Sequence, residues 1–256
     1  MSLAYDEVGK GRPVVLLHAF PLSRAMYRPQ RDGLADVCRL ITPDLPGFGD
    51  SPLCADTPSV DTMADAVAEL LDEIGVKEKV VLGGVSMGGY VAFAFVRKYA
   101  DRLAGLILAN TRAEPDDEGA RANRDKLIGF AATNPASAII STMLPNLLAA
   151  ATTTTYPAVA TEVRRIGAAQ RPSAIIAALQ ALRNRPDSAP TLATIRVPTL
   201  VIVGNKDVLT PPALSESMAA RIAGAKLVVI EGAGHLSNLE QPQPFNDAVR
   251  AFVRSL

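Results

Sequence analysis

Val80-Val-Leu-Gly-Gly-Val-Ser-Met-Gly-Gly89 runs from an apolar, β-branched strand straight into the helical pattern of Met87–Tyr99. Ser86 falls on the turn between Gly84 and Gly88, the strand–turn–helix context of a Gly-x-Ser-x-Gly nucleophile elbow. A serine held there lifts its hydroxyl above a sheet, and the helix N-terminus aims positive dipole at the same spot. Glycine is required at 84 and 88 because a Cβ at either place would meet neighbouring backbone. The competing reading is a phosphate-binding turn. It fails on spacing, since neither Gly-x-Gly-x-x-Gly nor Gly-x-x-x-x-Gly-Lys-Ser/Thr can be laid over the segment.

Outward from this turn the same alternation repeats. Pro13–His18, Arg39–Thr42, Leu103–Ala109, Thr199–Gly204 and Ala225–Ile230 are short and nearly all apolar, as strands covered on both faces must be. Leu3–Val8 alternates instead and predicts an antiparallel edge strand. Val60, Ala64, Val67, Leu71 and Ile74 recur at helical spacing with Gly75 as the stop, and Pro212–Ile222 and Pro244–Val253 are further helices. The pattern predicts an α/β fold with a doubly wound, mostly parallel sheet. From Thr111 to Val197 no strand pattern is present. The segment is rich in alanine and is cut by Pro115, Pro135, Pro145, Pro157, Pro172 and Pro186, which predicts short helices. The expected organisation is a core of residues 1–110 and 198–256 with a helical insertion at 111–197. The Thr152–Thr155 run is expected in a loop.

Composition closes off several function classes. The 26 Lys and Arg balance the 26 Asp and Glu, so the basic surplus of a generic nucleic-acid binder or polybasic membrane-surface protein is missing. Hydrophobic residues make up 48%, enough for a buried core. Two cysteines, Cys38 and Cys54, form no disulfide framework, and two histidines, His18 and His235, exclude a His-x-x-x-His metal site. The N-terminus lacks the Lys/Arg-led apolar run of a signal peptide, and no apolar run reaches the ~20 residues of a membrane span. A soluble, cytoplasmic protein with reduced thiols is expected.

Serine is a weak nucleophile and needs a base. In the chain order Ser, Asp, His only His235, in Gly232-Ala-Gly-His235, follows the remaining members. Gly204-Asn-Lys-Asp207 ends a strand and supplies the carboxylate that would fix the imidazole tautomer. Asp187 is the poorer rival because it lies inside the insertion. An oxyanion hole needs two N–H donors, expected from Met87 and from Phe20 in His18-Ala-Phe-Pro21. His18 itself is then structural.

These motifs, with Asp44-Leu-Pro-Gly-Phe-Gly-Asp-Ser51, stand in the order of an α/β-hydrolase fold protein, which the chain resembles over essentially its whole length. The subgroup resembles the small capped esterases, enol-lactone hydrolases and cofactor-free perhydrolases. A serine at the elbow argues against haloalkane dehalogenases and epoxide hydrolases, which use aspartate there. Ala19 departs from the glycine usual in the family and would crowd the oxyanion loop slightly. The resemblance implies that 111–197 is a cap, that no cofactor is used, and that the partner is a small-molecule ester or lactone. Hydrolysis of small to medium uncharged esters is the expected activity. Lactone hydrolysis, perhydrolysis and a ligand-binding signalling role with a slow triad are the alternatives. Ile139, Ile140, Met143, Leu144, Leu147 and Leu148 either pack the insertion onto the core or line an acyl pocket. Arg112 either meets a substrate carboxylate or pairs with Glu114 or Asp116 at the surface. Oligomeric state is not legible.

Overall fold

The computed structural model describes residues 2–53 and 58–256. Cys54, one of the two thiols expected to be reduced, lies outside them. The described strands are β1 (Tyr5–Val8), β2 (Pro13–Leu17), β3 (Arg39–Pro43), β4 (Val80–Val85), β5 (Leu103–Ala109), β6 (Thr199–Gly204) and β7 (Lys226–Ile230). They form one sheet in the order β1-β3-β2-β4-β5-β6-β7. Only the edge strand β1 is antiparallel, with Tyr5 opposite Pro43 and Val8 opposite Leu40. Successive side chains of an inner strand enter two different cores. Val15 and Leu17 belong to one and Val14 and Leu16 to the other, and Leu106 and Leu108 are likewise separated from Ile107 and Ala109. That two-sided burial is why these strands are apolar at every position.

The helices before and after the insertion cover both faces. α1 (Arg28–Leu34), α2 (Val60–Glu73) and α3 (Met87–Tyr99) precede it. Six helices fill the stretch between β5 and β6: α4 (Glu118–Thr133), α5 (Ala136–Leu147), α6 (Ala150–Thr155), α7 (Pro157–Ala168), α8 (Pro172–Arg183) and α9 (Ala189–Leu192). α10 (Pro212–Arg221), α11 (Ser237–Glu240) and α12 (Pro242–Arg254) complete the chain. Val67 of α2 and Phe93 of α3 pack in one core, while Leu34 of α1 and Phe245 and Val249 of α12 pack in the other. α2 begins on a capping box, Ser59 with Thr62, and its chain turns away at Gly75 with φ of 71°. Among the described residues no helix is long and apolar enough to cross a membrane.

Two local expectations are corrected. Thr152–Thr155 is helical, not a loop. The Thr153 and Thr154 hydroxyls donate to the carbonyls of Ala150 and Ala151, three residues back, and the buried Thr152 hydroxyl donates to Glu240 Oε2 at 2.6 Å. Threonine's intrinsic helix penalty is only a few tenths of a kcal/mol, about what one such contact offsets. Pro145 does not break a helix but lies inside α5, two residues before its end. There the missing N–H removes a single hydrogen bond of the last turn.

The strand order reverses between β2 and β4: the chain steps outward from β2 to β3, then crosses back to β4 and proceeds to β7. Loops leaving β2 and β4 therefore diverge, opening a crevice beyond the strand ends. The crevice is tight at its base. A Cβ on Gly88 would lie 2.1 Å from the Leu17 carbonyl oxygen, and a Cβ on Gly84 would lie 2.1 Å from the Gly88 carbonyl carbon. Both obstacles are backbone and cannot rotate away. Gly88→Ala should therefore lower stability by about 1–3 kcal/mol or more, read as a fall in the chemical-denaturation midpoint. An unchanged midpoint would mean that α3 docks on β2 less closely than described.

Candidate active site

Ser86 has φ of 54° and ψ of −111°, a backbone conformation that costs a non-glycine residue about 1–3 kcal/mol. The surroundings hold it there. Its N–H donates to the Ala109 carbonyl at 3.0 Å, and its carbonyl accepts from Gly89 N and from the Thr111 hydroxyl, each at 2.9 Å. The strained turn thrusts the side chain into a cavity of about 270 Å³ whose lining includes Phe20, Tyr90, Met143, Leu147, Thr210 and His235. This volume lies just below the range of about 300–1,000 Å³ usual for small-ligand pockets.

His235 Nδ1 lies 2.8 Å from Asp207 Oδ2, and both side chains are buried. Nε2 is thereby the ring nitrogen left for the cavity. Asp207 is well supplied with donors. Oδ1 accepts from the N–H groups of Leu209 and Thr210, each at 2.9 Å, and Oδ2 accepts from the Thr210 hydroxyl and Asn110 Nδ2. Burial pushes the Asp207 carboxyl up, but the His235 charge and the hydrogen bonds of His235 and Thr210 outweigh it and hold the group at about 2. Asp187 is exposed and accepts from Ala189 N in its own turn.

Three supporting residues escaped the sequence reading. Asn110, at φ of 47°, donates Nδ2 to Asp207 and to the Gly234 carbonyl and accepts the Ser237 hydroxyl at 2.5 Å. Its signal was only an asparagine just past a strand, a residue that tolerates left-handed backbone. Thr210 is an ordinary loop threonine. Glu240, five residues after His235, accepts from Gly234 N at 2.9 Å, Ala149 N at 2.8 Å and the Thr152 hydroxyl. It joins the His235 loop to the start of α6, and burial raises its pKa despite those donors.

The loop after β2 is fixed by His18. Leu45 N–H donates to its Nε2 at 2.9 Å, so Nδ1 carries the proton and donates to the Ala19 carbonyl at 3.0 Å. Desolvation lowers its pKa, in keeping with a neutral ring. His18 thus ties the loop after β2 to the loop after β3. A second tie is the ion pair of Arg24 with the buried Asp44, whose carboxylate also accepts Arg24 N and Asp50 N. The peptide bond between Phe20 and Pro21 is cis. Met87 opens α3, where helix geometry gives its N–H no intrahelical acceptor.

The cavity walls divide the aliphatic cluster of α5. Met143 and Leu147 line the cavity, whereas Ile139, Ile140, Leu144 and Leu148 are buried in the cores. Arg112 corrects an expectation. It pairs with Asp116 at 2.8 Å, but on the cavity wall and not at the outer surface, because Asp116 is itself buried.

A family model described as "Alpha/beta hydrolase family" matches residues 14–248. The chain belongs to the alpha/beta hydrolase family. A thermophilic esterase from Thermogutta terrifontis, solved with malate bound, is 43% identical with a TM-score of 0.96, over 99% of this chain and 93% of that one. A pimeloyl-[acyl-carrier protein] methyl ester esterase of Neisseria meningitidis is 30% identical over 96% of this chain and 94% of its own length. A 3-oxoadipate enol-lactonase of Acinetobacter baylyi is 28% identical over 95% and 89%.

In this alpha/beta hydrolase the Asp207 carboxyl, at about 2, sits below the ordinary value of about 3.9. Folding therefore favours its ionised form. That contribution is complete above the unfolded value and is lost as pH falls through the folded one. It amounts to about 2 kcal/mol. The stability gap between the natural protein and Asp207→Asn should thus narrow between about pH 5 and pH 2 in urea titrations. A gap independent of pH over that window would contradict the ionic bond to His235.

Proposed function

We propose that the chain is a carboxylic ester hydrolase working through Ser86, His235 and Asp207. What carries this reading is one arrangement: Ser86 on a strained turn and His235, oriented by a donor-saturated Asp207, share one cavity. Ser86 Oγ attacks the ester carbonyl carbon while His235 Nε2 takes its proton, and the carbonyl oxygen becomes the oxyanion of a tetrahedral intermediate. The N–H groups of Phe20 and Met87 receive that oxyanion, each worth about 10²–10³ in rate. Collapse expels the alcohol, which leaves with the proton from His235. Water then gives its proton to His235 and attacks the acyl-serine, and a second collapse releases the acid and restores Ser86. Asp207 stays ionised throughout and stabilises the imidazolium. Every proton has a carrier among these groups, so the scheme calls for no cofactor or metal. Residues 111–197 act as the cap and 1–110 with 198–256 as the core.

The esterase names carried by the Thermogutta and Neisseria relatives support ester hydrolysis. The enol-lactonase relative favours a second reading, lactone hydrolysis, which breaks an internal ester by the same steps. A panel of simple esters and lactones separates the two. Ser86→Ala should lower kcat on the order of 10⁶-fold, leaving the fold intact, and a serine-directed organophosphate should label Ser86 once per chain. Label on any other serine would overturn the assignment.

Met143 and Leu147 should differ as substrate-length determinants. Met143 is half-buried and lines the cavity, so Met143→Ala should move the acyl-length optimum toward longer chains with little change in melting temperature. Each added methylene that finds room is worth about 0.8 kcal/mol, or roughly fourfold in kcat/KM. Leu147 is fully packed as well as cavity-lining, so Leu147→Ala should also destabilise by about 2–5 kcal/mol. If Met143→Ala leaves the chain-length profile unchanged, the acyl group is bound elsewhere.

A further inference from the structure

The cavity that holds Ser86 and His235 carries a cationic wall that ester hydrolysis itself does not require. Arg112, Arg124 and Asp116 line it together. Asp116 accepts from Arg112 Nη2 at 2.8 Å and Arg124 Nε at 3.0 Å, and pairs with Arg185 Nη1 at 2.7 Å. One buried carboxylate therefore pairs with three guanidiniums in a chain whose formal net charge is +0. Glu114 forms no ion pair with any of the three among the described residues.

The three arginines are not equivalent. Arg185 is locked: its side chain is 2% exposed, donates to the carbonyls of Leu182 and Glu114, and stacks 4.2 Å from the Tyr90 ring centroid. Arg185 with Asp116 would suffice to pin the 111–117 loop to α8. Arg124 spends only Nε on Asp116, and its two terminal nitrogens have no acceptor among the described residues. Arg112 gives Nη2 to Asp116 and also hydrogen-bonds the Tyr90 side chain, while its Nε is buried with no hydrogen-bond partner. Arg124 and Arg185 both stabilise the ionised Asp116 carboxyl, yet a structural pair does not require Arg112 and Arg124 to face the cavity that holds Ser86 and His235. Arg112 and Arg124 repel each other in a half-buried site where solvent screens weakly. An anion entering the cavity offsets that repulsion, and the two terminal nitrogens of Arg124 match the planar, two-oxygen geometry of a carboxylate.

We propose that Arg112 and Arg124 recognise a free carboxylate on the substrate, so that the preferred esters are small esters carrying a free carboxylate on the acyl or the alcohol side rather than uncharged esters. Asp116 is then a positioning residue, holding two like charges side by side at the cavity edge. This substrate class rests on the assignment of Ser86 as nucleophile, and the test keeps the two apart.

Two pairs of esters, each differing only by carboxylate against primary amide, are compared. Monomethyl glutarate against methyl glutaramate puts the charge on the acyl side, and 4-acetoxybutanoate against 4-acetoxybutanamide puts it on the alcohol side. The carboxylate member of at least one pair should be favoured by about tenfold or more in kcat/KM, the order set by a charge-assisted hydrogen bond, and added salt should shrink the preference. Arg124→Gln should lower kcat/KM for the carboxylate ester about tenfold more than for its amide partner, with Arg124→Lys retaining part of the preference. A binding measurement needs neither turnover nor an arginine variant. Titrated into Ser86→Ala, glutarate should bind more tightly than glutaramide. Equal turnover within both ester pairs, together with equal binding of glutarate and glutaramide, would overturn the carboxylate site. Loss of the nucleophile assignment would look different: no ester of either kind turned over and no organophosphate on Ser86, with the glutarate titration still deciding the anion site.

Discussion

The site depends on the tight backbone contact between the start of α3 and the end of β2. Only a residue without a Cβ fits at position 88, because the Leu17 carbonyl oxygen occupies the place where that atom would stand. Gly84 stands in the same relation to Gly88 one turn earlier. Together they press α3 onto the sheet so steeply that the chain between them passes through φ of 54° at Ser86. The same contact sets the loop after β2 beside the elbow after β4. Phe20 and Met87, the two proposed oxyanion donors, are thus neighbours through a packing requirement between backbones, not through any attraction of their own. His18 then fixes the far side of that loop through two backbone hydrogen bonds, so that its position does not depend on side chains facing the cavity.

A second level of order comes from two buried carboxylates with opposite tendencies. Asp207 faces a group that can carry positive charge and several donors, and its pKa falls. Among the described residues Glu240 faces neutral donors, the N–H groups of Ala149, Gly234 and Leu236 and the Thr152 hydroxyl, and burial prevails. The first orients an imidazole; the second is a mechanical tie. Through Glu240, and through the hydrogen bond from Leu236 N to the Leu147 carbonyl, the His235 loop is stitched to the insertion between α5 and α6. Asn110 closes the circuit by joining the ends of β5, β6 and β7 at Asp207, Gly234 and Ser237. The insertion and the histidine loop therefore share their hydrogen bonds, and displacement of one strains the other.

The inner strands were legible because two-sided burial leaves a plain mark, a run of apolar residues with no alternation. β7 is as apolar, yet it forms the sheet edge and is not covered on both faces, with Val229 exposed. Every expected strand is present within a residue or two. Ser86 was legible because the elbow demands glycine at fixed offsets, and Asp207 and His235 because each stands at a strand end in a set order. Asn110, Thr210 and Glu240 were not, since their roles arise from loops separated by as many as 127 positions in the chain. Thr152–Thr155 was misread for a similar reason: the hydrogen bond to Glu240 that helps hold it helical comes from 88 residues away. Arg112 was paired with the right partner but placed at the surface, because an i, i+4 spacing says nothing about whether the carboxylate is buried.

Several unfavourable features gather around the site. The strained Ser86 backbone, the buried Glu240 carboxylate, Arg112 and Arg185 lie in loops or helix ends beyond the strands, and Arg124 joins them from within α4. The inner strands beneath them hold Val14, Val15, Leu17, Ile107, Val201 and Ile202 at full burial, each contributing about 1.5–3 kcal/mol. Strain of about 1–3 kcal/mol at one turn is small against that sum. Because strand side chains point to the faces while chain ends point to the crevice, most changes at the site leave the cores untouched. Gly88 is the exception. It belongs to the helix that packs the sheet and to the turn that strains the serine, so there stability and chemistry cannot be altered separately.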